Sequence, residues 1–108
     1  MKTLVDPAIR SRPDLESAVD QATKLLAEEM GASAARAKAE WTLTEDTRIR
    51  ELIELRVSDW TGSVGYRFAP DELDDRDHMR YRLHRLWGDL LMVRSHVQID
   101  GRIGTYQE

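Results

Sequence analysis

The hydrophobic period of this chain changes twice, and that limits the folds open to it. Leu15, Val19, Ala22, Leu25, Leu26 and Met30 recur at helical spacing until Gly31 interrupts them. The period then drops to two. Ala37, Ala39, Trp41 and Leu43 alternate with polar residues, as do Ile53, Leu55 and Val57, and then Val64, Tyr66 and Phe68. Helical spacing returns with Met79, Leu83, Leu86, Trp87, Leu90, Leu91 and Val97. Period 3.6 marks a stripe on a helix and period 2 marks one face of a strand. The order predicted is therefore α-β-β-β-α.

The ends of these elements are marked by local chemistry. In S11-R-P-D14, Ser11 is suited to cap, Pro13 lacks an amide hydrogen that the first turn would leave unpaired, and Asp14 suits a capping box. A helix is predicted over 12–30. A69-P-D-E-L73 reads as the start of the last helix and Gly101 as its stop. A hairpin over Asp100-Gly101 is the competing reading of 97–103.

Strand registers follow from requiring apolar residues to share a face. Pairing Leu43 with Ile53 also sets Trp41 beside Leu55, Ala39 beside Val57 and Glu40 beside Arg56. For the next pair, Val57 beside Tyr66 and Leu55 beside Phe68 are expected across an even loop, either Thr61-Gly62 or the four residues Trp60 to Ser63. Four are preferred because Thr61 disfavours the positive φ of a two-residue turn. That register puts Arg56 opposite Arg67. The resulting fold class is α+β: a two-layer sandwich with a three-stranded antiparallel meander and both helices on one face. Residues 1–10 are read as a lead-in, 11–100 as a single domain and 101–108 as a flexible C-terminal tail.

Composition narrows the chemistry. A chain of 108 residues suits one domain with an ordinary core. Without cysteine it has no disulfides, no thiolate nucleophile and no cysteine zinc site, and a reducing cytoplasm is the expected setting. No apolar run reaches membrane-spanning length, so no membrane contact is expected. The net charge of −4 argues against a generally basic nucleic-acid binder.

The stretch S58-D-W-T-G-S63 carries an acid, a tryptophan, hydroxyls and a glycine, yet it reads as turn chemistry. Asp59 suits accepting backbone amides, Gly62 a positive φ, and Trp60 a tip or rim. Neither Thr61 nor Ser63 has a base at motif spacing. The acids of D71-E-L-D-D-R-D77 fit a helix N-terminus rather than a calcium loop. His78, His84 and His96 do not share a helix face as zinc ligands would. No catalytic residue, metal or cofactor is expected. Arginine is concentrated in the last helix, and the first helix is acidic. Side by side, the two would neutralise much of each other's charge. Gly88 inside that last helix suggests a close approach by another element of the fold.

The element order over residues 12–99 resembles that of double-stranded-RNA-binding domains. Those hold phosphates with lysines at the start of their last helix, where this chain reads D71-E-L-D-D-R-D77. With M1-K-T-L-V5 as a strand, the order is similar instead to that of ribosome-associated hibernation factors. The function expected is a non-catalytic contact with another protein or a second copy. Arg56 and Arg67 on the open sheet and Tyr81, Arg82 and Arg85 on the last helix are the candidate surface. A nucleic-acid or ribosome-associated module using the arginine-rich helix is the alternative.

Overall fold

A computed structural model describes residues 1–46 and 50–107, with side chains described over 1–44 and 51–96. Its strands are β1 (Lys2–Val5), β2 (Lys38–Asp46), β3 (Arg50–Asp59) and β4 (Gly62–Phe68). Its α-helices are α1 (Pro7–Arg10), α2 (Pro13–Met30) and α3 (Arg76–Gln107), with 3₁₀ segments at Gly31–Arg36 and Pro70–Asp74. The sheet order is β1-β2-β3-β4, with β1 parallel to β2 and the other pairs antiparallel. The class is α+β, but the sheet is four-stranded and mixed rather than a three-stranded meander.

The difference arises at the N-terminus. Lys2–Val5 is too short for its alternation to be read alone, and its pairing with Lys38–Trp41 supplies what propensity does not. Asp6 then joins three elements. Its amide donates to the Trp41 carbonyl at 2.9 Å. One carboxylate oxygen caps α1 by accepting from the Ala8 amide at 3.0 Å, and the other accepts from the Leu43 amide at 3.2 Å. The expected lead-in is thus part of the sheet.

α2 starts at Pro13 without a side-chain cap, because the Ser11 hydroxyl is turned back to the Ala8 carbonyl at the end of α1. Gly31, at φ +57°, ends the helix where a Cβ would be strained. The last helix begins six residues beyond its expected signal: Pro70–Asp74 forms a 3₁₀ turn, and Asp75 caps α3 by accepting from the His78 amide. α3 passes through Gly101 to Gln107 with no hairpin at 97–103. The Val97 side chain and residues 47–49 of the β2–β3 connection lie outside the described residues.

The β2–β3 register pairs Leu43 with Ile53, Trp41 with Leu55 and Ala39 with Val57, as their shared face demands. The β3–β4 register differs by two residues from the expected one. Val57 lies opposite Val64, Leu55 opposite Tyr66 and Ile53 opposite Phe68, across a two-residue loop of Trp60 and Thr61. The same apolar face is kept because the slip is even. It also sets Arg67 opposite Glu54 and Arg56 opposite Gly65, which removes the arginine–arginine pair.

One face of the sheet is buried beneath α2 and α3. Ala39, Trp41, Ile53, Leu55, Val57 and Phe68 point into it, met by Val19, Leu26, Leu83, Leu86 and Leu90 from the helices. No polar or charged residue is fully buried among the described residues. Trp41 keeps its indole N–H satisfied by donating to the Thr23 hydroxyl at 3.0 Å, and that hydroxyl donates to the Val19 carbonyl.

Asp6→Ala tests whether β1 belongs to the cooperative unit. It frees two amides at once and should lower unfolding stability by about 1–3 kcal/mol, read as a fall in the urea midpoint with an unchanged slope. An unmoved midpoint would mean that residues 1–10 lie outside the folding unit.

Candidate interaction surface

The β3–β4 turn is fixed to α3 from several sides. Asp59, whose side chain is 1% exposed, accepts from the Thr61 amide at 2.8 Å, from the Thr61 hydroxyl and from Arg94 on α3 at 3.0 Å. Gly62 sits at φ +155°, and a Cβ there would come within 2.8 Å of Val93. The Arg94 guanidinium also lies 5.4 Å from the centre of the Trp87 ring. Its Nε is buried and has no hydrogen-bond partner, so this tie carries some strain of its own. Trp60 at the tip is left 62% exposed.

A second tie joins β4 to α3 further up. Tyr66 donates its hydroxyl to Asp89 at 2.5 Å. Burial, together with that acceptor, holds the phenol pKa above its ordinary value. Arg82 lies over the rings of Phe68 and Tyr66, at 4.5 and 5.3 Å. It donates to the Arg67 carbonyl and to Glu72, both at 2.9 Å. The proposed surface residue Arg82 is therefore held against the sheet edge and is half-buried.

The open sheet face neutralises itself. Glu54 is shared by Arg56 at 3.5 Å and Arg67 at 4.0 Å, and Arg56 also donates to the Ser63 hydroxyl. Lys38 pairs with Glu40 at 2.8 Å, and its ammonium holds the Glu40 carboxyl below the usual range. Arg56 and Arg67 thus lie together on one face, separate from the residues of α3.

Of the sequence candidates, Tyr81 and Arg85 remain on the outside of α3, with Arg85 stacked 6.0 Å from the Tyr81 ring and donating to its hydroxyl. Two further residues join them. Gly88 and Met92 complete the series Tyr81, Arg85, Gly88, Met92, all exposed and spaced by four, three and four residues. Tyr81 is 59% and Met92 61% exposed. The expected internal close approach at Gly88 is not present: a Cβ built there meets nothing within 4 Å. Leu91, expected in the core stripe, is 39% exposed because its neighbour Leu90 takes the inward position. The sequence signal for this outer stripe was its 4-3-4 spacing, which the stronger inner stripe Met79, Leu83, Leu86, Leu90 obscured.

The expected arginine–acid neutralisation between α2 and α3 is not seen among the described residues, where the two helices share a hydrogen bond between Glu29 and His84 at 2.9 Å. Arg82 and Arg94 pair elsewhere. His78 stands 4.0 Å from Glu72, His96 is exposed, and the described residues hold no metal-ligating cluster. No helix among them is long and apolar enough to cross a membrane.

Asp59 supplies a pH test of the turn. Burial alone would raise its carboxyl, but the Thr61 hydroxyl and amide and the Arg94 guanidinium together outweigh that, and its pKa is lowered. A lowered folded-state pKa contributes stability that is full above the unfolded value, about 3.9, and is lost as pH falls through the folded value. Asp59→Asn should therefore reduce stability at neutral pH by about 1.5–3 kcal/mol and flatten the loss of stability below pH ~4. Identical acid-unfolding curves for the two proteins would remove Asp59 from this role.

Comparison with protein-family models, with curated proteins and with solved structures finds no match for the chain.

Proposed function

We propose that this domain is a non-catalytic protein-interaction module whose contact surface is the outer stripe of α3. The observation that carries this reading is the exposure of Tyr81, Arg85, Gly88 and Met92 at the spacing of a helix-packing seam. Aromatic residues, methionine and arginine are the types enriched in protein contacts. The setting proposed is cytoplasmic, in keeping with a cysteine-free chain.

The nucleic-acid reading has less support. Arg82 is committed to Glu72 and a backbone carbonyl, while Arg56 and Arg67 share Glu54. Among the described residues of α3, Arg76, Arg80 and Arg85 form no ion pair, but Arg76 and Arg80 follow directly on the acids Asp71, Glu72, Asp74 and Asp75, with Asp77 between them.

The test compares wild type with Tyr81→Ser/Met92→Asp in affinity capture from native lysate, with and without nuclease, at low and moderate salt. Protein partners that survive nuclease should bind the wild type and weaken by at least about tenfold with the double variant. Nucleic acid that is lost with nuclease or salt, with no such protein, would overturn the reading.

A further inference from the structure

Among the described residues, nothing in the folded chain calls for a glycine at position 88. A mid-helix glycine destabilises a helix by about 1 kcal/mol relative to alanine. Here nothing stands where a Cβ would project, and the φ is not in the left-handed region. Folding alone therefore favours alanine at this position. The glycine instead sits midway along the exposed stripe, with Tyr81 and Arg85 before it and Met92 after it. Removing one side chain from the middle of a seam lets a second helix backbone come close at that point.

We propose that the occupant of this seam is a second copy of the chain, with the two α3 helices crossing antiparallel about a two-fold axis at Gly88. This rests on α3 being the contact surface. Two observations favour a second copy. First, residue types on the two sides of Gly88 complement one another. The two-fold sets Met92 of each copy across from the segment His84–Arg85 of the other, so the apolar end meets long stems and a ring rather than its own kind. Second, charge also matches. Among the described residues Arg85 hydrogen-bonds only to the Tyr81 hydroxyl, and Asp89 of its own chain, one turn along, makes no ion pair with it and uses one carboxylate oxygen for Tyr66. Across the axis, each Arg85 comes within a helical turn of the other copy's Asp89, twice per dimer. Leu91 and His84 flank the opposite side of the seam.

The absence of cysteine makes the crossing point measurable. Residues on a two-fold axis face themselves, so Gly88→Cys should give a disulfide-linked dimer under mild oxidation, since the two Cα atoms fall within the ~4.4–6.8 Å that a disulfide spans. Met92→Cys, displaced from the axis, should not crosslink appreciably. Gly88→Ala should raise the folding stability of the dilute monomer while weakening the dimer by at least about tenfold in sedimentation equilibrium. A purely structural glycine would not separate the two effects. Wild type that stays monomeric at high concentration, or equal crosslinking at both positions, would overturn the second-copy assignment. A different protein partner lost with Tyr81→Ser/Met92→Asp would still leave α3 as the contact surface. Arg85→Asp should weaken the dimer, and Arg85→Asp with Asp89→Arg should recover it. Failure of the pair to recover in a folded protein would also overturn the proposed register.

Discussion

Trp41 and Phe68 meet across the buried face of the sheet, ring centres 6.2 Å apart, on strands separated by β3. Covering both determines where the helices go. β1 and β2 are parallel, so the chain must cross over between them, and α2 makes that crossing over the Trp41 side. Thr23 on α2 meets the indole N–H. α3 returns against β4 on the Phe68 side, where Arg82 lies over the ring and Val93 meets Gly62 at the far end. Among the described residues, the last fully buried residue of α3 is Leu90, and Val93 and Arg94 beyond it still hold the β3–β4 turn.

Attachment of the β3–β4 turn to α3 fixes more than a loop. Asp59 draws its hydrogen bonds from a turn of only two residues, and this selects the observed register over the longer loop. The register in turn decides the electrostatics of the open face, because Glu54 stands between Arg56 and Arg67. A single carboxylate at the end of β3 therefore acts at three levels: turn length, strand pairing and surface charge. The Arg94 that completes it comes from a distant part of the chain, a long-range partner that turn rules do not include.

What was legible in the sequence was what repeats. The inner stripes of both long helices, the stop at Gly31 and the β2–β3 register all follow from periodicity and a shared apolar face. β1 was not legible, since four residues paired by a neighbouring strand carry almost no pattern of their own. The β3–β4 register needed Arg94 and Val93, which lie more than thirty positions away in the chain. The candidate surface divided for a similar reason. Arg82 and Arg85 look alike in sequence, but three positions leave them about 60° apart around the helix, enough to aim one at Phe68 and the other at solvent. Tyr81 and Arg85 kept an outward position because they sit opposite Leu83, Leu86 and Leu90.

The outer stripe is informative because stability does not account for it. An exposed helix face selected only for folding would carry strong helix formers and charged residues. α3 instead places a glycine and an exposed apolar methionine there, with an aromatic ring two turns before the glycine, while its arginines at 82 and 94 hold the sheet. Two different demands therefore divide one helix. Its inner face and flanking arginines lock β4 in place, and that rigidity is what keeps the outer seam in a fixed shape. A contact made there would find Tyr81, Gly88 and Met92 already positioned, so little further ordering of the backbone would oppose binding.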